Sequence, residues 1–276
     1  MDLNDIKLIF DRAFIRTFSK KKLLFVFVGL LVCELLVLFF KALSMHSGQW
    51  IGISLIFLPI FLCTGVLLSI GVLLIRLYHD EIKKKTISYW ATLNQSWDLI
   101  LGSSYLSIPI ILSYLVLWML LGIFFLLNDM PGIGGFFSVI LAFGPFILNM
   151  GSLVLCLICI AMLFFVTPII ALRGLNRLQL AQMVAARFQN DIFFNLLFIV
   201  IAITPLILLG ILLSISAMMT EAFCVRCDEP VYLVLHWFFM MVPFTAFLAP
   251  AVIFFFNFAA ESHVLMQKTQ RKSFGK

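Results

Sequence analysis

The stretch LLFVFVGLLVCELLVLFFKAL, Leu23–Leu43, decides the fold. It has the ~20 residues that a helix needs to cross the hydrocarbon core of a bilayer. Its only acid is Glu34, and Lys41 lies near its far end. The apolar residues are continuous rather than alternating, so the segment reads as a helix and not as a barrel strand. Five comparable runs follow, at Ile51–Ile75, Tyr105–Leu127, Phe146–Ile170, Phe193–Met218 and Val231–Ala259. The fourth belongs to a longer apolar stretch that Gly144 and Pro145 are expected to break, leaving Phe136–Phe143 as an outer interfacial piece.

Composition agrees. Of 276 residues, 63% are hydrophobic and 12% charged, with a mean hydropathy of +1.16. Soluble domains lie near half apolar and a quarter charged. The sequence therefore predicts an all-α, polytopic membrane protein of six transmembrane helices, forming one integral membrane domain over residues 1–276. The polar stretches are too short to bury a core of their own, which argues against a separate soluble catalytic domain.

All of the 19 Lys and Arg except Lys41 and Arg226 fall on one side of this arrangement. They lie in both termini and in the loops after spans two and four. The bias of basic residues toward the cytosol places both termini inside. The placement follows the membrane, so the net charge of +6 gives no reason to expect a nucleic-acid partner. No small-residue cleavage site follows the first span, and it is expected to stay as an anchor. Lys20, Lys21 and Lys22, with Lys83, Lys84 and Lys85, are expected to form a basic cluster against the lipid surface.

Each outward span is preceded by a segment that reads as an interfacial amphipathic helix. Before span one, Ile6, Ile9, Phe10, Ala13, Phe14 and Phe18 share a face. Before span three, Trp90, Leu93, Trp97 and Ile100 recur at spacings of three and four. Before span five, Leu175, Leu178, Ala181, Ala185 and Phe188 do so more weakly. The chain thus reads as three units of interfacial helix, span out, short loop and span back. Any helical hairpin has polar flanks, so a true internal repeat and a generic one stay open.

TPIIALRGLNRLQLAQMVAARFQNDIFFNLLFIVI (Thr167–Ile201) places a Pro near the inner end of a span, then an amphipathic helix, then a new span. TLNQSWDLILGSSYLSIPIIL (Thr92–Leu112) is similar. The pattern resembles bacterial six-span inner-membrane proteins related to the membrane domain of glycerophosphoryl diester phosphodiesterases. The resemblance implies a six-helix membrane module. It carries over no catalytic residue, because the phosphodiesterase chemistry of that group belongs to a separate soluble domain.

Glu34 lies about mid-bilayer, where a charged acid costs several kcal/mol. It reads as an ion or proton site, paired with Asn149 as a candidate intramembrane polar site. The competing reading is a neutral carboxyl bonded to Thr64, Ser69, Ser113, Asn149 or Thr204 on a neighbouring span, and that reading is favoured because transport paths use several polar groups. Cys224 and Cys227, in CVRC, read as a candidate disulfide or as idle thiols in an outer loop. Cys156 and Cys159 read as packing. Gly65 with Ser69, and Gly210 with Ser214, are small-residue pairs that let helices approach closely. His79, Asp80 and Glu81 read as a solvated charge cluster. No metal site, cofactor or catalytic motif is expected. The functional expectation is a non-enzymatic membrane module in envelope or lipid homeostasis, working with the lipid bilayer and a membrane-protein partner or a second copy. The alternative is a small transporter or channel built on Glu34.

Overall fold

A computed structural model describes residues 3–45, 49–83, 89–128, 143–174, 182–185, 192–219 and 230–274, and its described residues contain helices and turns but no strand. The helices are α1 (Leu3–Ile15), α2 (Lys20–Met45), α3 (Gln49–Ile82), α4 (Tyr89–Ser104), α5 (Ile108–Asn128), α6 (Gly144–Ala161), α7 (Thr167–Arg173), α8 (Ile192–Met219) and α9 (Pro230–Phe274). A 3₁₀ turn, Tyr105–Ser107, joins α4 to α5, and a π-helical segment, Met162–Val166, joins α6 to α7. Six helical stretches are long and apolar enough to cross a membrane: Lys20–Met45, Leu55–Ile82, Thr92–Leu120, Phe146–Arg173, Ile192–Met219 and Leu235–Gln267.

Local chemistry explains the punctuation. Asp5 in the first turn of α1 and Arg12 in its last suit the helix dipole. The chain turns at Arg16–Ser19, with Thr17 N–H donating to the Phe14 carbonyl at 3.0 Å. Ser19 then sits at the N-cap of α2, and its carbonyl accepts the Leu23 N–H at 2.9 Å. Pro109 has no N–H for the Tyr105 carbonyl, so Ile108 N–H takes that acceptor and the turn tightens to 3₁₀. The π segment ends two residues before Pro168, which likewise cannot donate to Phe164. α6 begins at Gly144 with Pro145 in its first turn, in keeping with the expected break there. α7 stops at Gly174, whose φ of 91° favours glycine. The expected interfacial piece Phe136–Phe143, apart from Phe143, lies outside the described residues, as do Leu175, Leu178, Ala181 and Phe188.

The larger core cluster sits toward one end of the bundle, where α2 starts and α3 ends, and we call this the charged end; a smaller one gathers Phe61, Ile110, Tyr114, Leu148 and Cys159. At the charged end Ile70–Ile75, Leu77 and Tyr78 of α3, Ala249 and Ala251–His263 of α9, and Leu163–Ala171 are buried. α2 packs along both α3 and α9, and α8 packs along α9. Gly71 makes the α3–α9 contact: a Cβ there would lie 2.3 Å from a ring carbon of Phe256. Elsewhere the bundle wears large apolar groups outward, among them Leu24, Val28, Leu35 and Phe39 of α2 and Leu208, Leu212 and Ile215 of α8.

The amphipathic segments pack on the bundle in ways that their spacing does not state. α4 lies along the bundle, with Trp97 of the expected apolar face on its outside. It runs antiparallel to α3: Ser69 Oγ donates to the Ile100 carbonyl at 3.0 Å, and Arg76 Nη1 to Ser96 Oγ at 2.7 Å. Its buried side is a serine stripe, Ser96, Ser103 and then Ser107, while Trp97 is 52% exposed. Small residues let the backbones approach, and large apolar ones face out, the reverse of a helix in water. Gly65 joins this contact, since a Cβ there would meet Ser107 Oγ at 2.8 Å. The second small-residue pair makes no such contact among the described residues: none of them lies within 4 Å of a Cβ built on Gly210, and Ser214 donates to the Gly210 carbonyl of its own helix. α1 splits its apolar face. Ile9 and Ala13 are buried, whereas Phe10, Phe14 and Phe18 remain exposed as a ladder of ring contacts.

Candidate functional site

The charged end holds a buried polar cluster that joins six segments. Lys22, in the first turn of α2, is 0% exposed, and its Nζ lies 2.5 Å from Glu81 Oε2 on the last turn of α3. The same ammonium is 5.5 Å from the centroid of the Tyr78 ring. The Arg16 guanidinium, from the turn after α1, is 5.8 Å from that centroid. Two cations thus share one ring quadrupole. Tyr78 Oη donates to Glu261 Oε1 of α9 at 2.7 Å. Arg76, two residues before Tyr78, donates through Nε to the Ala171 carbonyl at 3.1 Å and through Nη1 to Ser96. Asn257 Nδ2 donates to the Ala13 carbonyl at 3.4 Å, and Gln267 Nε2 and His263 Nε2 are 2.7 Å apart.

The charged groups satisfy one another, while Asn257 Oδ1 has no hydrogen-bond partner among the described residues. Each buried cation faces an acid, a hydroxyl, a carbonyl or a ring, as burial of charge requires. It ties α1, α3, α4, α7 and α9 to the start of α2. Among the described residues no group of three His, Cys, Asp or Glu could hold a metal ion.

This geometry revises several sequence readings. Lys22 is not part of a lipid-surface cluster; it turns inward, while Lys20, Lys21 and Lys83 are exposed. Lys84 and Lys85 lie outside the described residues, as do Cys224 and Cys227. His79, Asp80 and Glu81 are not a wholly solvated cluster: Glu81 is only 17% exposed and holds Lys22.

Glu34 and Asn149 are not brought together as a pair. Glu34 is 6% exposed, whereas Asn149 is on an exposed face of α6. Neither carboxyl oxygen of Glu34 has a hydrogen-bond partner among the described residues. The hydroxyls proposed as partners donate elsewhere: Thr64 to Ile60, Ser69 to Gly65 and Ile100, Ser113 to Pro109 and Thr204 to Val200, all at main-chain carbonyls. Cys33, beside Glu34, meets Cys63 across the α2–α3 contact, with Cys63 Sγ 3.6 Å from the Cys33 carbonyl. Cys33, Cys63, Cys156 and Cys159 are free thiols.

A groove of about 390 Å³ opens beside the charged end between α2 and α9, lined by Lys20, Leu23, Leu24, Phe27, Ala246 and Ala249.

No family model, curated protein or solved structure matches the chain. Sequence reasoning missed Tyr78, Glu261 and Asn257. A signal was present: Glu81 and Glu261 are acids at span ends otherwise rich in Lys and Arg.

Proposed function

We propose that the protein is a non-enzymatic module of the bacterial inner membrane, crossing it six times with both termini in the cytosol. It serves envelope or lipid homeostasis by holding lipid and a membrane partner. The observation that supports this reading best is the charged end. Its buried charges are consumed in tying helices together, beneath an exterior of exposed Leu, Val, Ile and Phe. Such a bundle suits a fixed platform in lipid. Among the described residues, Lys20, Lys21, Lys22, Arg76 and Lys83 lie at this end, which the positive-inside rule assigns to the cytosol. Depleting the protein and following envelope permeability and lipid composition tests the role. A change in either is expected, and an unaltered envelope across growth conditions refutes it.

A second reading, a proton-coupled carrier, rests on the unpartnered carboxyl of Glu34. Its test is proton flux into vesicles containing the purified protein. Flux abolished by Glu34→Gln supports a carrier, and flux equal to that of empty vesicles removes it.

A further inference from the structure

The groove between α2 and α9 has a chemistry that selects its occupant. Its walls are hydrocarbon: Leu23, Leu24 and Phe27 from α2, and Ala246 and Ala249 from α9. The two alanines are about one helical turn apart and are too short to close the gap. At its mouth stands Lys20, exposed at the start of α2. Lys22 is committed to Glu81 and Tyr78 and cannot serve a ligand. The first turn of α2 adds a further attraction for anions. The Leu23 N–H makes the first α-helical bond, to Ser19, so the N–H groups of Lys20–Lys22 precede it at the positive end of a 26-residue helix. From Lys20 to Phe27 the wall descends about 10 Å along the helix axis, at ~1.5 Å per residue.

We propose that this groove binds one anionic glycerophospholipid of the surrounding leaflet. Its phosphate lies at Lys20, and one acyl chain lies along Leu23, Leu24 and Phe27 against Ala246 and Ala249. The inference rests on the reading that α2 and α9 cross a membrane with the charged end at the cytosolic face. Three features argue for it together: a slot open along one side, apolar walls that hold hydrocarbon and give water no partners, and a cation at the end where headgroups sit.

The test uses the full chain reconstituted in phosphatidylcholine bilayers. Trace amounts of chain-spin-labelled phosphatidylglycerol or phosphatidylcholine report lipid held at the protein surface. The wild type is expected to restrict phosphatidylglycerol in preference to phosphatidylcholine. Lys20→Gln should lower that preference about fivefold, the order expected for one lysine at an anionic lipid surface. Ala246→Phe, at an exposed position that needs no repacking of the core, fills the slot and should abolish the preference. Lys83→Gln, which removes an exposed cation that does not line the groove, should leave it unchanged. An equal loss in Lys20→Gln and Lys83→Gln would mean diffuse surface charge and overturn the proposal. So would a preference that survives Ala246→Phe. Equal restriction of both lipids by the wild type overturns the groove alone, whereas restriction of neither overturns the membrane reading with it.

Discussion

Breaking the Lys22–Glu81 pair should give an asymmetric result. Lys22 is 0% exposed and Glu81 is 17% exposed. Glu81→Gln leaves a buried ammonium facing the Tyr78 ring and an amide, with the Arg16 cation also nearby. Removing one partner of a buried pair costs about 3–5 kcal/mol, and the Tyr78 ring faces Lys22 in both proteins and offsets none of it, so a loss of about 3–5 kcal/mol is expected. Lys22→Met leaves the better-exposed carboxylate, which can take up water, and the loss should be about 1–2 kcal/mol. The double variant Lys22→Met/Glu81→Gln buries no unpaired charge and should fall within about 1 kcal/mol of the wild type, since well-packed apolar replacements of buried pairs are often neutral. The assay is reversible unfolding of the purified protein in mixed micelles by added sodium dodecyl sulfate, followed by far-UV circular dichroism. The reasoning is refuted if Glu81→Gln costs no more than Lys22→Met, or if the double variant is worse than either single one.

Other perturbations follow from the same geometry. Gly71→Ala puts a methyl 2.3–2.8 Å from three ring carbons of Phe256 and should destabilise by about 1–3 kcal/mol, with partial recovery in Gly71→Ala/Phe256→Leu; unfolding titrations of both variants check this. Glu34→Leu removes a buried carboxyl with no hydrogen-bond partner among the described residues, so stability should rise by about 1–2 kcal/mol; a fall in the same titration would reveal a partner for Glu34.

The sequence reading reached the six apolar helices and the break at Gly144–Pro145, because each is written in consecutive residues. It did not reach which face of α4 turns inward. Apolar periodicity finds the buried face of a helix in water; where the outside of the bundle is itself apolar, Ser96, Ser103 and Ser107 face inward and Trp97 outward. It also could not separate Lys22 from Lys20 and Lys21. Lys20 and Lys21 are exposed, while Lys22 is buried and meets Glu81, which is 59 residues away in the chain. The Tyr78–Glu261 bond joins residues 183 apart. No local pattern foretells such a pairing. Glu34 stood out from sequence because of its neighbours in the chain, but its lack of a partner among the described residues is a property of the packed bundle.

The central claim is that the charged end faces the cytosol and that α2 and α3 cross the membrane between the ends of the bundle. Single cysteines at exposed Met45 and Lys83, in a chain otherwise free of cysteine, test it most directly with a membrane-impermeant thiol reagent. In sealed vesicles of opposite orientation, Lys83→Cys should react only when the cytosolic face is outward, and Met45→Cys only when the opposite face is. Labelling of both positions from the same side would contradict the account.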